Sequence, residues 1–329
     1  MIKLFEKVKK IFTNGFFSNK YVKFIIKLLI TIGVAFYLYQ NISLDEIIKQ
    51  IKNSNQFLLL ITFFLGFINI SLQYFKWKLT VVSVLEINDS KKIFSSLLQG
   101  LAAAVSTPAR LGEYVGRALP FSNKSFLQVT LATLVDKFFS LFIVIILGSL
   151  SSILYIHIFY DVFELVTISF LIIVLLFFYL VFLLLFNENF WDNFLFNKIK
   201  TSKRFSRYYQ KFEVLKKLDK KYKSKMILLS FLFYLCVIIQ YSFLVMAFSY
   251  DDKFIEYMWV GNLIMFTKTV IPAFTFGELG IRESASVYFI QRIGENPNVG
   301  FNASIFLFLI NIIFPAIVGI IYQMRNNNE

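Results

Sequence analysis

Residues 165–186 read LVTISFLIIVLLFFYLVFLLLF, twenty-two positions without a charged side chain. As an α-helix this stretch is about 33 Å long, and the hydrocarbon core of a bilayer is about 30 Å thick. It has no polar face to turn toward water, so it reads as a membrane span. Working outward, five further apolar runs of similar kind appear at 22–39, 57–75, 130–156, 226–249 and 301–322. Composition agrees: 57% of residues are hydrophobic and 16% charged, against about 45–50% and 25% in soluble domains. A soluble enzyme, a nucleic-acid-binding module and a disordered tail are thereby excluded. The runs are unbroken and do not alternate, which excludes a β-barrel. The expected fold is all-α: a polytopic helical membrane protein with about six full spans. Two more apolar segments, about 93–118 and 254–292, are interrupted by Gly, Pro and charge. They are expected to be re-entrant broken-helix hairpins.

Charge fixes an expected orientation. The net formal charge is +14, and in a membrane protein basic residues gather in cytoplasmic loops. The start carries Lys3, Lys7, Lys9, Lys10 and Lys20, and the stretch after 57–75 carries Lys76, Lys78, Lys91 and Lys92. The connection 187–225 is richest, with twelve Lys and Arg between Lys198 and Lys225. All three read as cytoplasmic. The connections at 157–164 and around Asp251 and Asp252 read as external. Every loop then fits one topology in a cell (plasma) membrane with both termini cytoplasmic, provided each broken segment returns to its own side. The start is read as the first span, since Lys27 interrupts its apolar run and no small-residue cleavage pattern follows. Within the basic connection, Phe205, Tyr208, Phe212, Leu215, Leu218 and Tyr222 recur at helical spacing. That predicts an amphipathic linker helix whose 198–225 stretch touches anionic phospholipid; orientation alone also accounts for the charge.

The broken segments share a motif. One reads Pro108-Ala109-Arg110-Leu111-Gly112-Glu113-Tyr114-Val115-Gly116-Arg117. The other reads Pro272-Ala273-Phe274-Thr275-Phe276-Gly277-Glu278-Leu279-Gly280-Ile281-Arg282-Glu283. The same offset of 165 separates Glu113 from Glu278 and Arg117 from Arg282. Within a single domain spanning 1–329, residues 57–156 and 226–322 are therefore expected to be inverted repeats, with interrupted helices at matching positions.

Each buried charge costs about 2.5–3.5 kcal/mol at the centre of a lipid-facing helix, so these residues must face protein or water. Thr107 and Pro108 read as a helix start, and Thr275 with Glu278 as a capping box. Helix N-termini attract anions. Arg110, Arg117, Lys268 and Arg282 are thus candidates to hold a phosphate head group, with Glu113, Glu278 and Glu283 beside them. Pro108, Gly112, Gly116, Pro272, Gly277 and Gly280 are expected at the helix breaks. Asp136 and Lys137 are candidates for coupling. The same Glu–Arg pairs also fit a second role, as internal ion pairs that let charge sit in the membrane.

The remaining chemistry is sparse. One cysteine (Cys236, expected in packing) and one histidine (His157, expected in an external loop) exclude an intramolecular disulfide and a multi-histidine metal site. No metal and no cofactor are expected. Trp77, Trp191 and Trp259 are expected as interface anchors. No G-x-x-x-x-G-K-[ST] stretch occurs, so ATP is not the direct energy source.

Pro-Ala-Arg-Leu-Gly-Glu with its following Arg, and later Phe-Gly-Glu-Leu-Gly-Ile-Arg-Glu, resemble the transmembrane region of the lysylphosphatidylglycerol synthases. Stand-alone members are flippase-like membrane proteins. Lys76-Trp77-Lys78 resembles that family's basic-Trp stretch, and Asp136-Lys137 its acidic-basic pair. The sequence departs in having Asp-Lys where the family more often has Glu-Arg, and Ser140 where a further acid is usual. The resemblance covers nearly the whole chain and implies movement of lipid between leaflets. The sequence ends seven residues after the last expected span, so no synthase domain is expected and another enzyme would supply the lipid.

Three functions follow. The first is a flippase-like translocator, with no enzymatic activity, for a phospholipid or lipid-linked head group. The second is a membrane-embedded glycosyl or acyl transferase using Asp45 and Glu46. The third is a non-transporting partner of a cell-envelope enzyme.

Overall fold

A computed structural model describes residues 49, 51–105, 107, 110–187, 218–271 and 280–325, with the side chains from 322 onward left aside. Every regular element among them is helical. In chain order they are α1 (Gln56–Thr80), running into a π-helical turn (Val81–Leu85), α2 (Ser90–Val105), α3 (Gly112–Ala118), α4 (Phe126–Tyr160) and α5 (Glu164–Phe186). Then come α6 (Lys220–Ser249), α7 (Phe254–Val270), α8 (Ile281–Arg292), α9 (Pro297–Phe308), a second π-helical turn (Leu309–Ile313) and α10 (Phe314–Arg325).

Five helical stretches are long and apolar enough to cross a membrane: Gln56–Leu85, Phe126–Tyr160, Glu164–Phe186, Lys220–Ser249 and Pro297–Ile321. They contain or closely overlap five of the six expected spans. The expected span 22–39 lies outside the described residues, as do Asp45, Glu46, Trp191 and most of the basic linker.

Helix starts are written locally. The Asn55 side chain accepts from the N–H groups of Phe57 and Leu58 at 3.1 and 3.3 Å. Ser125 and Gln128 cap α4 reciprocally, and Asp219 accepts from Tyr222 N–H at 2.7 Å to start α6. That last cap corrects the linker reading. Tyr222 belongs to α6, is buried, and its hydroxyl lies 2.9 Å from Thr80 Oγ1. Leu218 likewise packs against buried core residues. The end of the expected amphipathic face is therefore core.

Helix α5 is the outlier in exposure: its Leu, Ile, Phe and Val side chains face outward almost throughout. In water such a surface would aggregate; against lipid chains it carries no penalty. The interior is built elsewhere. One apolar cluster joins Tyr241, Leu244, Tyr257, Ile264, Ala303 and Leu307 of α6, α7 and α9. Another joins Trp77, Val81, Ile93, Leu97, Phe121 and Val129 of the first half. Between the halves α1 packs on α6, α2 on α10 and α4 on α7.

The first interrupted segment is a helix–turn–helix unit. Helix α3 folds back on α2 at backbone distance. A Cβ on Gly112 would lie 2.2 Å from the Ala103 carbonyl oxygen, and one on Gly116 2.3 Å from that of Gln99. Only hydrogen fits there, the close-approach use of small residues four apart in membrane helices. In the second interrupted segment α7 ends at Val270 and α8 begins at Ile281; residues 272–279, with Pro272, Gly277 and Glu278, lie outside the described residues.

Candidate functional site

The site grows from α3. Thr107 Oγ1 accepts from Gly112 N–H at 2.7 Å and donates to the Ala103 carbonyl at 3.1 Å. Thr107 thus satisfies a helix-terminal N–H as expected; the described helix begins at Gly112, and Pro108 lies outside the described residues. A turn with Arg110 in the left-handed region (φ 54) intervenes. That turn brings Arg110 back to Glu113 at 3.3 Å. Glu113 and Arg117, one turn apart on α3, pair at 2.8 Å, both almost fully buried.

Helix α4 completes the cluster. Asp136 accepts from Arg117 at 2.9 Å, and Lys137 reaches Glu113 at 2.8 Å. Each carboxylate is shared: Glu113 among Arg110, Arg117 and Lys137, and Asp136 between Arg117 and Lys76 (3.8 Å). Sharing lowers the cost of burying charge, because each ion is held by more than one opposite partner. Aromatic faces add to this: the Arg117 guanidinium lies 4.3 Å from the Trp77 ring centre, and the Lys137 ammonium 4.9 Å from that of Tyr114.

Lys76 and Trp77 correct the sequence reading. An apolar run that ends in Lys-Trp-Lys reads as a span reaching its cytoplasmic loop. Instead α1 continues to Thr80, Lys76 is 4% exposed, and Trp77 is fully buried. The Lys76 ammonium donates to Ser140 Oγ and sits over the Phe233 ring. Trp77 Nε1 donates to Ser96 Oγ at 3.2 Å, so it is a core residue and not an interface anchor. The reason is periodicity: Thr62, Gly66, Asn69, Gln73, Lys76 and Thr80 lie on one face of α1 at spacings of three and four. That polar stripe turns inward, and the signal was in the sequence.

Above Lys76 the stripe continues as an amide chain. Gln73 donates to Asn69 at 2.7 Å, Asn69 to Gln240 at 3.5 Å, and Asn311 to Gln240 at 2.9 Å. The chain links α1, α6 and the second π-helical turn. Asn69, Gln73 and Asn311 supply polar lining that the two charged motifs do not indicate.

The second motif contributes through α8. Arg282 donates to Ser304 Oγ at 2.9 Å and pairs with Glu283 at 2.5 Å. Glu283 in turn accepts from Gly280 N–H at 2.7 Å, where the chain turns at φ 101, a value glycine adopts without strain. Among the described residues the carboxylate that pairs with Arg282 is therefore its neighbour Glu283.

These groups meet in one cavity of about 410 Å³. Arg110, Glu113, Arg117, Asp136, Lys137, Lys268 and Arg282 all line it, with Lys76. Glu283 stands behind Arg282. Elsewhere, Cys236 is packed with its thiol 3.6 Å from the Leu65 carbonyl. His157 lies in the last turn of α4, its Nδ1 2.8 Å from the Val162 oxygen, and is not a loop residue. Among the described residues no group of three His, Cys, Asp or Glu could hold a metal ion.

Helices of spanning length around a buried charged cavity define an all-α polytopic membrane protein. The family model described as lysylphosphatidylglycerol synthase TM region matches residues 24–319, so the chain belongs to that family. No curated protein and no solved structure matches it.

Proposed function

We propose that the protein carries the head group of a phospholipid, or of a lipid-linked glycan, from one leaflet to the other, without a chemical step of its own. The observation that carries this reading is the shared cavity: Arg117 of the first motif lines it together with Lys268 and Arg282 beside the second. A family whose members handle lipid supplies the context. The head group would bind between the two broken units, which would expose it alternately to each side.

The packing pattern favours an inverted repeat of 57–156 and 226–322. The α2 hairpin helix packs on α10, which closes the second half, while α7 packs on α4, which closes the first. A twofold exchange of halves requires that pairing. In this reading the protein sits in the cell membrane with both termini cytoplasmic, the 198–225 stretch rests on anionic phospholipid, and another enzyme supplies the lipid.

The test is transbilayer movement of fluorescent phospholipid in proteoliposomes, comparing wild type with Glu113→Gln and Arg282→Ala. Only variants that purify as the same homogeneous particle enter the comparison. Both variants are expected to lose most movement. Well-folded wild type that moves no lipid in a panel of anionic and zwitterionic head groups would overturn the reading.

A further inference from the structure

The cavity wall holds six cationic side chains, Lys76, Arg110, Arg117, Lys137, Lys268 and Arg282, against two carboxylates, Glu113 and Asp136. Counting Glu283, which holds Arg282 from behind, the balance is six to three. Adding Glu278, whose place is outside the described residues, leaves six to four. Among the described residues the wall is cationic, and both lining carboxylates are already engaged by cations of the wall.

Lys76 adds a second observation. It is 4% exposed and lines the cavity. An ammonium has three N–H donors, yet among the described residues Lys76 makes one hydrogen bond, to Ser140, with the Asp136 carboxylate at 3.8 Å. The amide chain of Asn69, Gln73 and Asn311 lines the same space and offers neutral donors and acceptors. Buried cations with donors to spare bind phosphate oxygens strongly. A head group of net positive charge would be repelled by the excess of cations over carboxylates among the lining residues.

We infer that the cavity selects its lipid by net head-group charge: it takes a phosphate-bearing anionic head group and rejects one of net positive charge, aminoacylated phosphatidylglycerol included. The inference rests on the translocation reading for its lipid source, and it separates this chain's cargo from the lysyl lipid after which its family is named.

The experiment measures binding, not movement, so that the two claims fail separately. Purified protein in uncharged detergent is titrated with phosphatidic acid, phosphatidylglycerol, phosphatidylcholine and lysylphosphatidylglycerol of matched acyl chains, read by native mass spectrometry. Glycerol phosphate and inorganic phosphate serve as competitors. Affinity is expected to fall about tenfold for each unit of negative charge removed from the head group, as for unit charges about 12 Å apart at an effective dielectric of about 20. Lys137→Glu, at the partly exposed rim, and Lys268→Gln as a second variant are each expected to narrow that spacing.

Equal or tighter binding of lysylphosphatidylglycerol overturns the inference. So does a spacing that neither folded variant changes, which would assign it to lipid around the outer surface. Displacement by glycerol phosphate or inorganic phosphate at lipid-like concentrations would make the ligand a soluble anion, and overturn the lipid assignment. Charge-ordered binding with no transbilayer movement would remove the translocation proposal and leave the head-group selection standing.

Discussion

Glu113 is the residue on which most charge converges, with Arg110, Arg117 and Lys137 all within 3.3 Å. Replacing it by Gln keeps its shape but leaves three cations short of an anion in a buried site. The expected cost is about 3–5 kcal/mol, the range for breaking a buried pair from one side, read as a loss of thermal unfolding stability in detergent. Combining Glu113→Gln with Arg117→Gln is expected to cost less than the sum of the single changes, because the groups share partners. An additive pair would mean that the two side chains do not interact as the geometry has them. Sequence spacing alone gave the Glu113–Arg117 pair, since residues four apart share a helix face. It could not give Asp136 as a second partner of Arg117, nor Lys137 as a partner of Glu113, because those contacts join α3 to α4 and depend on how two helices pack. Lys76 departs from its sequence expectation for a different reason. A Lys at the end of an apolar run obeys the rule for cytoplasmic loops, and only the stripe from Thr62 to Thr80 argues the other way.

At the scale of the element, the α2–α3 unit depends on backbone contact. Gly116→Ala places a methyl carbon 2.3 Å from the Gln99 carbonyl oxygen, and neither partner there is a side chain that can swing aside. The helices must separate, at an expected cost of about 1–3 kcal/mol as for other overpacked cores; an unchanged melting temperature would exclude this packing. Helix α6 tests the amide chain. Gln240 is fully buried and contacts Asn69, Asn311 and the Thr62 carbonyl. Gln240→Leu is expected to cost about 1–2 kcal/mol, near the upper end for hydrogen bonds between membrane helices. Urea or heat denaturation in mild detergent would measure it. The apolar runs made the spans legible as elements, but their ends were not. Helices α4 and α6 start before the apolar residues because Ser125 and Asp219 cap them further out, and α1 runs on past Phe75 to Thr80.

For the molecule as a whole, the connection between α6 and α7 is tied to the one between α8 and α9. The Lys253 ammonium lies 2.7 Å from Asp251 and 2.9 Å from Glu295, which also accepts from the Tyr257 hydroxyl at 3.0 Å. The hydrogen bond from Lys253 holds the Asp251 carboxyl below its ordinary range, and Asp251 with Glu295 raises Lys253. The depressed carboxyl contributes above its unfolded-state pKa and loses that contribution as pH falls through its folded value; the raised Lys contributes at neutral pH and is lost only in strong base. The strap is therefore expected to hold at neutral pH and loosen in acid. Hydrogen exchange of residues 250–256, corrected for intrinsic rates, should rise between pH 6 and pH 3, and no more in wild type than in Glu295→Gln if the strap is absent.

The π-helical turn at Leu309–Ile313 has a consequence for how the gene can vary. Such a turn accommodates one residue more than an α-helix would over the same rise. Deleting one of its five residues would let the span close into continuous α-helix with the segments on either side kept in phase, so Ala316 would stay in its seam with Ala102 and Val105 of α2. Asn311, inside the turn, would lose its fixed bearing on Gln240. A single-codon deletion should then be tolerated better within this turn than in the α-helix that follows, where it would rotate everything beyond it by about 100°: at this point the chain can shorten without unmaking its seams.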